Sequence, residues 1–251
     1  MRMLIAAIIA AGAAATAGQA VAADMPYYPP VIEIPDVDYG VEGSFYLRGS
    51  AAGNALWSKE AYAYECDCAT GTLVQTTFPF VEMGYGYSVG AGFGYETGTG
   101  LRFDATLDYI ANDGLKVTKG PEYGFRAGDY TVKLRSTIAL ANVYYDFSFS
   151  GDSGYGAAGG AFGYVGAGVG GAFNKVDVSS PAGVIVPSGS NTTFAAAGMV
   201  GVGYDFGAVV ADIGYRGIYL PKLTNNAASP DTVWSDNNWL HEVRTTLRYR
   251  F

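Results

Sequence analysis

From residue 43 onward the chain alternates apolar and polar positions with a period of two. The clearest internal example sets Leu101, Phe103, Ala105, Leu107 and Tyr109 against Arg102, Asp104, Thr106 and Asp108. The last stretch does the same: Val243, Thr245, Leu247, Tyr249 and Phe251 share one parity, and Glu242, Arg244, Thr246, Arg248 and Arg250 the other. Successive side chains of a strand point to opposite faces, so each segment predicts a strand with one apolar face and one polar face. Six further segments follow the rule, around 45–51, 88–95, 139–146, 165–170, 200–206 and 209–216. Eight strands are therefore expected.

The connections carry independent information. Residues 96–100 and the region of Gly207 predict tight turns, and 150–160 a moderate Gly/Ser connection. The other four connections, roughly 54–83, 110–131, 176–192 and 220–238, are expected to be long loops, well above ordinary hairpin lengths. Long alternates with short. This predicts an all-β fold: an eight-stranded antiparallel up-and-down transmembrane β-barrel, with lipid against the apolar parity, polar side chains in the lumen and long loops on one side. A soluble barrel has no reason to sort its loops this way. Outward aromatics gather near strand ends: Phe45, Tyr95, Phe103, Tyr145, Phe206 and Phe251 at one end, and Tyr109, Tyr219 and Trp239 at the other. Two such belts flank the apolar band of membrane barrels.

The ending Leu247-Arg248-Tyr249-Arg250-Phe251 resembles the carboxy-terminal assembly signal of Gram-negative outer-membrane barrels, carried by Leu247, Tyr249 and Phe251. With Phe45-Tyr46-Leu47-Arg48-Gly49 and Gly201-Val202-Gly203-Tyr204-Asp205-Phe206, the chain after residue 42 is similar to the small opacity-like surface-antigen barrels. The resemblance implies an outer-membrane location, assembly by the barrel assembly machinery and a surface role in envelope integrity, with contact to a host or surface ligand through the loops. It fixes no ligand.

The remaining composition adds to this picture. Residues 1–23 read as a secretory signal peptide, with Arg2, an apolar core from Leu4 to Ala15 and a small-residue cleavage site at 20–23. Residues 24–42 carry Pro26, Pro29, Pro30 and Pro35 and are expected to form an extended periplasmic segment before the barrel at 43–251. No run of about 18 apolar residues occurs in the body of the chain, so helical spans are not expected. The formal charge is −8, and loss of the leader removes Arg2 and no acid, leaving 14 basic against 23 acidic residues. An acidic chain gives no reason to expect nucleic-acid binding.

Candidate chemistry is sparse. The inward parity collects Arg48, Arg102, Arg216, Arg244 and Arg248 with Asp104, Asp108, Asp146, Asp205, Asp212 and Glu242. Eight strands leave an interior just wide enough for side chains, so these read as a paired charge network rather than as a selective pore. Gly166-Ala167-Gly168-Val169-Gly170-Gly171 matches a dinucleotide fingerprint literally, but alternation runs through it and no helical pattern follows. His241, the sole histidine, has Ser235, Asp236 and Glu242 nearby in sequence, yet shares the outward parity while Glu242 points inward. Neither an enzyme nor a cofactor or metal site is expected. Cys66 and Cys68 could close a small disulfide or bridge to another chain. Any specific binding falls to the long loops, foremost 54–83 with Trp57, Tyr62, Tyr64, Phe78 and Phe80 beside Lys59, Glu60, Glu65 and Asp67. A small channel is the second reading, and a lipid-modifying enzyme the third.

Overall fold

The computed structural model describes residues 43–67, 70–119, 128–149, 160–179, 186–229 and 231–251. The expected leader, the Pro-rich segment, most of the 150–160 connection and the side chains of Cys66 and Cys68 lie outside the described residues.

The described chain is all strand, in the order β1 (Ser44–Trp57), β2 (Glu60–Asp67), β3 (Thr72–Glu82), β4 (Gly84–Glu96), β5 (Leu101–Lys119), β6 (Gly128–Ser148), β7 (Gly160–Ser179), β8 (Gly189–Asp205), β9 (Val209–Thr224) and β10 (Val233–Arg250). All neighbouring pairs are antiparallel. The strands β1, β4, β5, β6, β7, β8, β9 and β10 hydrogen-bond in a closed ring, sealed by β1 against β10 from Tyr46↔Arg250 to Trp57↔Trp239. The Phe251 amide also donates to the Phe45 carbonyl at 3.0 Å. Closure leaves no sheet edge, which is the condition for crossing lipid with strands.

The two additional strands are not a separate sheet. Trp57 faces Trp239, and further along the same pair of strands Tyr62 faces Trp234, so β2 continues β1 in one register along β10. Likewise β3 runs into β4 along β5. The chain thus builds eight long staves, two of them interrupted, at Ser58-Lys59 and at Met83. The connection 54–83 is mostly wall rather than loop. The same correction applies to 110–131, 176–192 and 220–238: β5 to β10 run 16 to 21 residues and project past the apolar band. Two of the expected tight turns are in place. Thr97 donates to Leu101 at 2.9 Å, and Gly207 supplies the left-handed backbone (φ 95°) between β8 and β9.

Bulges hid the projecting parts of the staves from simple alternation. In β5, Asp108, Ile110 and Asn112 point inward; Gly114, at φ 98°, then resets the count so that Leu115 and Val117 point inward. In β10 the inward positions pass from Asn238 to Ser235 around Asn237, at φ 57°, while the pairing with β9 keeps its register. At Gly114 the extra residue reverses the parity of everything beyond it in β5.

Below these bulges burial follows parity. Tyr46 and Leu56 are fully buried, whereas Phe45 and Leu47 are 48% and 54% exposed. The outward face is lined by Val, Leu, Ile and aromatic side chains. It reaches from Phe45 to Trp57 along β1, roughly 30 Å at a rise of about 3.3 Å per residue and a tilt of about 40°. The expected aromatic rows lie on it, joined at the projecting end by Trp57, Tyr85, Phe173 and Phe194. Inward glycines admit the larger side chains opposite. A Cβ on Gly90 would run into the Asp108 carboxylate, and one on Gly166 into the Tyr144 ring. Gly90→Leu is therefore expected to displace Asp108 and to destabilise the barrel by about 1–3 kcal/mol. Urea unfolding in detergent, followed by the mobility difference between heated and unheated samples, measures this.

Candidate functional site

The interior has two storeys. The lower one, toward the short turns, is charged. Near the turns Arg102 grips Asp146 with two hydrogen bonds, Nε at 3.0 Å and Nη2 at 2.9 Å. Its guanidinium lies 4.1 Å from the centroid of the Tyr144 ring. Arg248 pairs with Glu96 and lies 3.8 Å from Asp212. Arg250 bridges Glu96 at 2.9 Å and Asp205 at 2.6 Å on the rim.

One layer further in, Asp104 accepts from Arg48 at 2.7 Å, from the Tyr46 hydroxyl at 2.9 Å and from Asn142 at 2.7 Å. Above it Asp108 sits between Arg216 at 2.7 Å and Arg244 at 2.6 Å. Glu242 accepts from Arg216 at 2.6 Å and from Ser88 at 2.6 Å. Each of these acids and arginines is nearly or wholly removed from solvent. Ten of the eleven charged residues singled out from the inward parity thus lie in the lower interior, contributed by β1, β5, β6, β9 and β10. Asp205 instead lies at its rim.

The neutral members of the network were not singled out in the sequence. Tyr46, Tyr144, Tyr164, Asn142 and Ser88 satisfy lone pairs and donors that the ion pairs leave over. Tyr46, Asn142 and Tyr144 share the parity of a charged neighbour on their own strand, so alternation alone could have found them; Tyr164 of β7 has no such neighbour.

The upper storey is apolar. Leu56, Ile110, Leu134, Ile138, Leu140, Ile218, Leu220 and Leu240 meet across the lumen, all at most 3% exposed. They too continue the charged parity: Ile110 follows Asp108 by two, Ile218 follows Arg216, and Leu240 precedes Glu242. Polar pairs are set into this layer, with Asn112 bonded to Asn54 at 2.7 Å between Ile110 and Leu115 of β5, and Ser136 to Asn174 at 2.7 Å between Ile138 and Leu134 of β6. The lumen is thereby filled twice, by paired charge and by aliphatic side chains.

The projecting wall carries the aromatics expected of the first loop. Phe78 and Phe80 point inward; Phe80 packs on the aliphatic layer. Tyr62 and Tyr64 point outward and flank Trp234, with ring centroids 5.6 and 5.3 Å away. Lys222 lies over the Trp234 ring at 5.3 Å. The Glu60 carboxylate accepts from the Tyr62 hydroxyl at 3.1 Å, which raises that phenol above its ordinary pKa. His241 is on the outward face, its Nδ1 in hydrogen-bonding reach of the Tyr215 hydroxyl and its ring beside Trp239. The Ser235 hydroxyl donates instead to Asn238, inside the barrel. No cluster of three His, Cys, Asp or Glu side chains fit for a metal occurs among the described residues.

No protein-family model and no curated protein sequence matches the chain. Solved structures do. Neisserial surface protein A is 21% identical over 83% of this chain and 99% of its own, with a TM-score of 0.50. The outer membrane protein OprG from Pseudomonas aeruginosa is 15% identical over 84% of this chain and 97% of its own, with a TM-score of 0.52. The fold is that of a small outer-membrane β-barrel. Its ring of eight, lipid-facing aromatic rows and polar lower lumen have the corresponding physical roles: closure, anchoring at the two interfaces, and filling.

The doubly paired Asp108 gives a direct test of the interior. Asp108→Ala leaves Arg216 and Arg244 sharing Glu242 alone. Uncompensated buried charge of this kind costs about 3–5 kcal/mol. Urea midpoints should fall accordingly, and the effect of Arg244→Ala should shrink sharply when it is introduced into the Asp108→Ala background.

Proposed function

We propose that the protein is a non-conducting surface barrel of the bacterial outer membrane, related in kind to the opacity-like surface antigens. Its lower part serves envelope structure, and its projecting staves present a binding rim. The observation that carries this reading is the doubly filled lumen: salt-bridged arginines and acids below, and a continuous aliphatic layer above. An aqueous pore through eight strands would need both layers to part. The likeness to a neisserial surface protein and to OprG supports the general class. The placement of His241 against Tyr215, and of Ser235 against Asn238, gives no support to a hydrolytic site. In this reading lipid covers the aromatic-rimmed face, the assembly machinery recognises Leu247, Tyr249 and Phe251, and the partner is a host or surface ligand met by the projecting end.

Two measurements test it. Planar-bilayer recording of the purified barrel is expected to show no stable, selective conductance; a large and selective current would replace this reading with the channel. Replacing residues 58–80 with a short Gly-containing turn should leave the lower barrel folded while abolishing recognition by antibodies or partners that bind the cell surface. Retention of every surface interaction would remove the first projection from the binding site.

A further inference from the structure

The aliphatic layer does not extend solid to the top of the projecting wall. Above it lies a partly enclosed cavity of about 50 Å³ between Ala61 and Ala63 of β2, Phe78 of β3, Val117 of β5, Val132 of β6 and Val178 of β7. No polar surface lines it. The residues come from staves on several sides of the ring, so the space belongs to the interior of the projection and not to one loop. Where the layer beneath is packed with Leu and Ile, β2 contributes only alanines, which are buried at 5% and 6% exposure. Large side chains are within easy reach of evolution at these positions, and an unfilled apolar void weakens the wall around it.

Water gains little in such a space, since it finds no partners there, whereas an alkyl group gains dispersion contacts and loses hydration. The size is selective. A water-sized group needs roughly 10–15 Å³ by this measure, so the cavity holds on the order of four such groups, the end of a short alkyl chain. Its open side lets a polar head remain in water while the tail enters.

We propose that this cavity is a binding site for the end of a short, unbranched aliphatic chain, presented by an amphiphile from the projecting end of the barrel. The inference gives the binding rim proposed above a ligand chemistry, and it stands on the cavity whether or not the rim also contacts a protein.

The test uses the full barrel in lipid nanodiscs with 13C-labelled valine methyls, titrated with the 1-alkanols from ethanol to octanol. Saturable shifts are expected for Val117, Val132 and Val178. The apparent affinity should tighten about fourfold per added methylene up to roughly four carbons and then level off. Partition into the bilayer behaves differently: it strengthens with every methylene without a plateau, and it shifts the lipid-facing Val165 and Val243. Shifts that never saturate, or that show no chain-length plateau, overturn the proposal. Ala63→Leu fills the cavity and should abolish the saturable shifts while unheated gel mobility stays that of a folded barrel. If that variant does not fold, Val178→Phe fills the same space from the opposite wall. Binding that persists in a folded, filled variant also overturns the proposal.

The absence of a functional channel is tested separately by conductance. A barrel that binds alkanols and also conducts would leave the cavity site intact and remove the sealed-lumen reading.

Discussion

Inside a bilayer no backbone N–H or C=O can turn to water, and this single constraint shapes the chain. Each strand must have a partner on both sides, so the first and last strands must meet, and β1 lies against β10 along nearly its whole length. Period-two alternation follows, because one face of every stave must satisfy lipid and the other a narrow interior. Aromatic rows settle where the apolar band ends. Even the β2–β3 excursion obeys the ring: it keeps the register of the strands it continues, so the wall remains eight staves wide after it leaves the membrane.

The interior solves a second problem. Eight staves leave too little room for water-filled space and too much for glycine, so the lumen must be packed. In the lower storey it is packed with arginines, acids and tyrosines whose charges and hydrogen-bonding groups are largely matched to one another. Such a network adds little net stability over an aliphatic core, but it penalises loss of any one member and any slip of register. In the upper storey the same inward parity carries Leu and Ile, which pack without directional demands. The change from one chemistry to the other takes place within one inward step, from Asp108 to Ile110 on β5 and from Arg216 to Ile218 on β9.

Much of this was legible in the sequence. Alternation through Leu101–Tyr109 and Val243–Phe251 marks the strands, their lipid faces and the inward arginines and acids, and Gly207 and 96–100 mark the turns. The projecting staves were not legible, because a bulge at Gly114 and the left-handed backbone of Asn237 change the inward parity and break a pattern that is otherwise continuous. Stretches such as Asn112-Asp113-Gly114 then look like loops by composition. The apolar upper storey was missed for a different reason. Ile110, Ile218 and Leu240 lie in register with Asp108, Arg216 and Glu242, but just beyond the points at which the strands were taken to end. The mouth cavity depends on small residues in β2 facing valines from distant staves, a juxtaposition that only the closed ring creates.

The layering also gives the barrel a sidedness. The ion pairs lie near the short turns, where Glu96, Asp205 and Arg250 reach the rim, while the leucine and isoleucine layer stands between them and the projecting end. Protons and salt can therefore approach the network from one direction only. An acidic medium at the projecting end meets aliphatic packing first, and the carboxylates that hold the lower wall together answer to the compartment on the opposite side. A barrel built this way keeps its internal electrostatics insulated from the environment that its projecting rim touches.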